Sequence, residues 1–282
     1  MTATLDEGVF EGERALFMRR DLLIRNSIFQ NGESPLKECR DITLENTVFK
    51  WKYPLWYGEN FSLTGCSLME TARAGIWYTR NITMKECDIQ APKTFRRSQG
   101  ITLEHVTLTN AQETLWHCRD VRLAHVTARG TYFGMDSQGL EIEDLRLDGD
   151  YSFDGARDLV IRNSRLLSKD AFWNAENVEV YDSHILGEYL GWNSRNVTLV
   201  NCVVESLQGM CYMKDLRMVN CRLINTTLAF EYSTVEAELE GTVGSIKNPL
   251  AGRITAGGAG EIIFDDPQVD PARTEIILRR GS

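Results

Sequence analysis

A short pattern recurs along most of the chain. A polar or small residue leads, an apolar–x–apolar triplet follows, and two residues later comes a turn former, then a small residue and a further apolar position. The leading residues are Asp21, Asp41, Asn60, Asn81, Gly100, Asp120, Gly139, Asp158, Asn177, Asn196, Asp215, Thr234 and Arg253, spaced 19 to 21 residues apart throughout. One residue after them run Leu22, Ile42, Phe61, Ile82, Ile101, Val121, Leu140, Leu159, Val178, Val197, Leu216, Val235 and Ile254. Two further on come Ile24, Leu44, Leu63, Met84, Leu103, Leu123, Ile142, Ile161, Val180, Leu199 and Met218. This period-two alternation predicts a short strand with one inward face. Asn26, Asn46, Asn163, Asn201 and Asn220, with Asp144 and Asp182, form a turn column, since Asn and Asp tolerate left-handed backbone. A small column (Ser27, Thr47, Cys66, Cys87, Ser164, Ser183, Cys202, Cys221) and an apolar one (Phe29, Phe49, Leu68, Ile89, Leu108) predict a second strand. Leu36, Leu55, Ile76, Phe95, Leu115, Phe153, Phe172, Met210 and Ala229 predict a third, interrupted by Gly134 and Gly191.

Three strands and three turns in 19 to 21 residues describe one coil of a parallel β-helix. About 12 such coils at roughly 4.8 Å would form a rod on the order of 55 Å long. A leucine-rich repeat has an overlapping period, but its leucine consensus and helix per unit are missing. The expected layout is all-β, one domain over 1–282: an N-terminal cap over 1–15, regular coils over 16–240, and an irregular last coil and C-terminal cap over 241–282.

The coil period and Asn column resemble the right-handed parallel β-helices of the pectin-lyase-like superfamily, over nearly the whole chain. Segments such as FKWKYPLWY (49–57), IQAPKTFRR (89–97), KDAFW (169–173) and GEYLGWN (187–193) are similar to a family of bacterial single-domain β-helix proteins without an established function. The resemblance implies a single-stranded, right-handed helix, and raises the expectation of carbohydrate chemistry on clustered aspartates.

Composition narrows the partners. The chain has 282 residues and net charge −9, with 31 basic against 40 acidic side chains, which disfavours a nucleic-acid binder. No run approaches the roughly 20 apolar residues of a membrane span. The acidic start lacks a signal-peptide pattern. Seven cysteines without a CxxC pair read as buried thiols rather than a disulfide framework or metal site. The expected location is cytoplasmic, with no cofactor and no metal.

Candidate chemistry surrounds the third strand. Trp56, Trp77, Trp116, Trp173 and Trp192 share one column with Arg96 and Asp154. The next column carries Tyr57, Tyr78, Arg97, His117, Asp136, Asn174, Asn193 and Tyr212. If the indoles point outward they form a groove for sugar rings; if inward, they fill the coil. The candidate catalytic residues are Asp136, Asp154, His117 and Asp170, with Asp136 and Asp154, in adjacent columns of consecutive coils, as the expected close pair, because paired carboxylates serve glycoside hydrolysis as acid and base or nucleophile. The candidate substrate-binding residues are Trp77, Trp116, Trp173, Trp192, Asn174, Asn193, Arg96, Arg97 and Tyr212. Lys93, Arg96 and Arg97 form a basic patch, open to a lyase-type base or to an internal ion-pair group with Glu113. The expected function is a carbohydrate-active protein, glycosidase-like or lyase-like if an enzyme, acting on an oligosaccharide or other small polar ligand. The alternatives are a non-catalytic carbohydrate binder and a structural, homo-oligomerising β-helix.

Overall fold

The apolar columns become physical stacks. In the computed structural model, which describes residues 2–279, strands Arg20–Arg25, Arg40–Glu45, Glu59–Thr64, Arg80–Lys85, Gln99–Glu104 and Arg119–Arg129 pair in parallel. Their register sets Leu22, Ile42, Phe61, Ile82, Ile101 and Val121 one above the next, and likewise Ile24, Leu44, Leu63, Met84, Leu103 and Leu123. All are buried. The second strand follows suit, with Phe29, Phe49, Leu68, Ile89 and Leu108 in register. Stacking like on like keeps the section of each coil constant, so an inward side chain meets apolar contacts above and below.

The chain forms two compact units, residues 1–147 and 148–282. The first contains eight strands of the leading type, from Ala3–Asp6 to Gln138–Asp148. The second contains seven, from Arg157–Arg162 to Thr274–Leu278. There Leu159, Val178, Val197, Leu216 and Val235 stack in register. In each unit the fold is the expected right-handed parallel β-helix, with about 15 turns in total rather than about 12, and no α-helix among the described residues.

The extra turns lie at the expected caps. Ala3–Asp6 already pairs in register with Leu22–Arg25. At the other end Thr234–Glu240, Ala251–Ala256 and Thr274–Leu278 continue the ladder, while Thr242–Lys247 pairs with Gly258–Ile263. Val235 lies opposite Gly252, and Ile254 opposite Ala237 rather than Val235. This coil is two residues shorter than the repeat, and a two-residue slip keeps the same face inward. Met1 and residues 280–282 of the expected caps lie outside the described residues.

Left-handed backbone makes the corners. The leading residues adopt it, as at Asp21, Asn60 and Asp158 with φ of 54°, 58° and 55°. So does the Asn column, with Asn26 at 50° and Asn163 at 49°. Exposed amides run from coil to coil: Asn81 Nδ2 donates to Asn60 Oδ1 at 3.0 Å, and Asn220 Nδ2 to Asn201 Oδ1 at 2.9 Å. The small column has its own task. Ser27, Ser164 and Ser183 each donate to the carbonyl two residues earlier, at 2.7, 2.7 and 2.6 Å, and Cys87 does the same at 3.2 Å. The same carbonyls accept a backbone N–H from the preceding coil, as Arg25 does from Glu7 and Tyr181 from Asn163, so the short donor supplies a second hydrogen bond at the corner.

The third strand is the main correction. Only Ile76–Trp77 and Phe95–Arg96 are extended; most other coils cross this face as successive turns. The inward residue is itself left-handed at Leu115, Phe153, Phe172 and Met210, with φ of 56° to 61°. Gly134 and Gly191 stand in that same column at 77° and 73°, where glycine adopts the conformation without strain. Burial is nevertheless as expected: Leu36, Leu55, Ile76, Phe95, Leu115, Phe153 and Phe172 are all enclosed.

Candidate functional site

Because the inward column is enclosed, its neighbours on the third face tilt outward. In the first unit Trp56, Trp77 and Trp116 are half-buried. Trp56 and Trp77 stack at 5.2 Å, and the Arg96 guanidinium sits between Trp77 and Trp116, 4.7 and 4.6 Å from their centroids. Such a spacing leaves no room for a sugar between neighbouring rings. The indole faces are spent on one another and on Arg96, and the edges face outward. The Trp77 indole N–H donates to the Lys93 carbonyl at 2.8 Å, which holds the ring in place. Thus the column neither fills the coil nor offers a row of open faces.

The basic patch resolves into an ion-pair group. Arg96 Nη2 and Lys93 Nζ lie 2.9 and 3.1 Å from Glu113 Oε2. Arg97 is exposed. His117 and Asp136 face one another in consecutive coils, with Nε2 and Oδ2 3.7 Å apart and both side chains more than 40% exposed. This open pair is solvated, unlike the acid–base groups of enclosed sites.

In the second unit two short carboxylates interrupt the aromatic columns. Backbone bonds set Tyr151, Asp170 and Tyr189 in successive coils: Tyr151 N–H donates to the Lys169 carbonyl, and Asp170 N–H to the Glu188 carbonyl, both at 2.8 Å. Asp170 therefore takes the tyrosine position between two tyrosines. Asp154 takes the indole position one coil before Trp173, with Trp192 beyond it. Tyr151 stacks on Trp173 at 6.2 Å, Tyr189 meets Trp192 edge-on at 5.7 Å, and Trp192 contacts Tyr212 at 4.8 Å.

Asp170 is only 7% exposed. Among the described residues nothing donates a hydrogen bond to its carboxylate. Burial pushes its pKa up; the Lys169 ammonium opposes this, while Asp150, Glu188 and Asp154 reinforce it. Asp154 is fixed differently. Asn174 Nδ2 donates to its Oδ1 at 3.0 Å, and Asn193 Nδ2 donates to Asn174 Oδ1 at 2.7 Å. Lys169 lies 3.5 Å from Glu188 and over the Tyr189 ring. The second unit thus carries a buried carboxyl whose pKa is raised and a second carboxylate oriented by an amide.

Of the residues expected from sequence, Asp154, Asp170, Trp173, Trp192, Asn174, Asn193 and Tyr212 share the second unit. Trp77, Arg96, Arg97, Trp116, His117 and Asp136 belong to the first. Asp150 and Glu188 add to the field at Asp170; Glu188 stands beside Tyr189 among the acidic residues of the middle coils, while Asp150 had not been singled out, and its spacing of 19 residues from Lys169 was the available signal. No group of three or more His, Cys, Asp or Glu among the described residues could hold a metal ion.

One family model covers residues 3–277. The chain belongs to the family described as protein of unknown function DUF3737. No curated protein matches it. Among solved structures, the DUF3737 chain is similar to a surface adhesin of Streptococcus pneumoniae at 8% identity and TM-score 0.42, covering 93% of this chain and 84% of that one. It is similar to the A-module of an Azotobacter vinelandii mannuronan C-5 epimerase at 12% identity and TM-score 0.40, covering 99% and 91%. It is also similar to a Thermotoga maritima exopolygalacturonase at 9% identity and TM-score 0.34, covering 99% and 84%. Carbohydrate-active β-helix enzymes therefore stand among its structural neighbours, and identities this low assign no chemistry to the DUF3737 chain.

Proposed function

We propose that the protein is a carbohydrate-active enzyme that cleaves glycosidic bonds at the carboxylate cluster of its second unit. The observation that carries this reading is Asp170, a nearly enclosed carboxyl with a raised pKa and no donor, set among Asp150, Asp154 and Glu188. In its protonated form Asp170 gives a proton to the leaving glycosidic oxygen as the C1–O bond breaks. Asp154, oriented by Asn174, supplies the negative charge that meets the developing oxocarbenium ion or activates water. Tyr151, Trp173, Tyr189 and Trp192 provide the rings around which a sugar is positioned. Seven unpaired thiols suit action in a reducing compartment.

The test is a panel of oligosaccharides assayed for new reducing ends, with wild type, Asp170→Asn and Asp154→Asn. General acid–base catalysis typically contributes about 10²–10⁴-fold, so each variant is expected to lose at least about 100-fold in kcat. Turnover that survives Asp170→Asn would remove the acid from the scheme. Sugar binding without turnover by the wild type would leave a binding protein.

A further inference from the structure

The first unit holds a cavity of about 270 Å³ that shares no residue with the Asp170 cluster. By the ~30 Å³ share of a liquid water, that is room for about nine waters, or one small ring. Trp56, Trp77, Ala74 and Pro92 give it an apolar wall. The Tyr53 ring leans on Trp56 at 4.4 Å and closes one side. Two cations complete the lining, Arg73 and Lys93.

The charges do not balance. Lys93 and Arg96 share the single carboxylate of Glu113, at 3.1 and 2.9 Å. Arg73 has no carboxylate partner among the described residues. No acidic side chain lines the cavity. An anion entering it would find an uncommitted guanidinium, whose planar fork suits a carboxylate.

The polar inventory also decides what carries that anion. Both indole N–H groups are already engaged, Trp56 with the Ala74 carbonyl and Trp77 with the Lys93 carbonyl. What remains is the Arg73 guanidinium, the Lys93 ammonium and the Tyr53 hydroxyl. A sugar acid brings several hydroxyl groups that need acceptors as well as donors, and this lining has almost none to give. A flat apolar ring with one carboxylate makes no such demand. We propose that the pocket binds a small aromatic carboxylate, its ring against the outward edges of Trp56 and Trp77 and against Pro92, and its carboxylate on Arg73.

The probe is benzoate, titrated into the full chain by calorimetry and by tryptophan fluorescence. Glucuronate supplies the charge without the aromatic ring, and benzyl alcohol the ring without the charge. Benzoate is expected to bind saturably. Benzyl alcohol should bind at least about tenfold more weakly, since a lost charge-assisted hydrogen bond is worth about that factor or more, and glucuronate at least about tenfold more weakly because it loses the apolar ring contact and brings hydroxyls without partners. Arg73→Gln should weaken benzoate by a similar factor at an unchanged melting temperature, because Arg73 is exposed and holds no other group in place. Failure of benzoate to saturate, equal binding of glucuronate, or an Arg73→Gln variant that binds as the wild type does would each overturn the assignment. None of these results bears on turnover at Asp170, so the two proposals stand or fall separately.

Discussion

Single aspartates here are tuned by what their coil neighbours supply. Asp6 is exposed and accepts from Asn26 Nδ2 at 3.0 Å and Arg25 Nε at 2.9 Å, which lowers its pKa. Asp170 has the same side chain between two tyrosines, and burial raises its pKa instead. The stability consequence has a definite sign. A carboxyl whose folded pKa lies above its unfolded value favours folding when protonated, below the unfolded pKa. That contribution is lost as pH rises through the folded pKa. Asn keeps the shape and cannot ionise. Asp170→Asn is therefore expected to melt higher than wild type at pH 7, with the gap closing as pH falls toward 4. Melting curves of both proteins across that range test this. A variant less stable than wild type at pH 7 would mean that the carboxylate anion has a favourable partner.

Each coil is built of columns, and a residue's column says more about it than its nearest neighbours in sequence. Leu103 lies between Met84 and Leu123, and Ile161 is paired with Val180; both are fully enclosed. Truncating either to Ala removes contacts on both sides of a stack that cannot collapse along the axis. A loss on the order of 2–5 kcal/mol is expected in urea unfolding, and near-neutral results at both would place the register elsewhere. The first two strands were legible because their alternation and Asn corners carry distinct residue types. The third was not, because Leu115, Phe153 and Phe172 hold left-handed backbone without the Gly or Asn that usually marks it. The coil at Thr234 was hidden by its shorter length. At the candidate site, the columns set Asp136 and Asp154 in consecutive coils as the expected pair, with Asp170 one coil past Asp154. The burial of Asp170 was not legible, since a column of letters does not give a side chain's exposure. The spent faces of Trp56 and Trp77 follow from the coil spacing, which a column of letters does not weigh against the thickness of a ring.

Across both units the seven cysteines follow one rule: Cys39, Cys66, Cys87 and Cys118 in the first and Cys202, Cys211 and Cys221 in the second are free and buried. All but Cys211, which takes the tryptophan position one coil after Trp192, stand where other coils place Ser or Thr, and several donate inward to carbonyls, as Cys87 does to Lys85 at 3.2 Å and Cys221 to Leu199 at 3.3 Å. Burial pushes Cys39 up to about 11 and both Cys118 and Cys211 up to about 12. Cys66 and Cys202 are raised as well, by the neighbouring thiols of Cys87 and Cys221 and by burial. Cys87 and Cys221 are shifted down instead, by the thiols of Cys66 and Cys202. Disulfide exchange requires a thiolate and a path to it, and burial withholds the path from all seven. With an aromatic disulfide reagent at pH 8, the native protein should release almost no thiol on the timescale that labels free cysteine. Seven equivalents should appear in guanidinium chloride, and intact mass without reductant should show no disulfide. Since the thiols are spread through both units, the labelling rate in mild denaturant measures how often their coils open. A thiol that reacts in the native protein at the rate of free cysteine would identify a coil that opens without global unfolding, and the stacked columns would then be less cooperative than their burial implies.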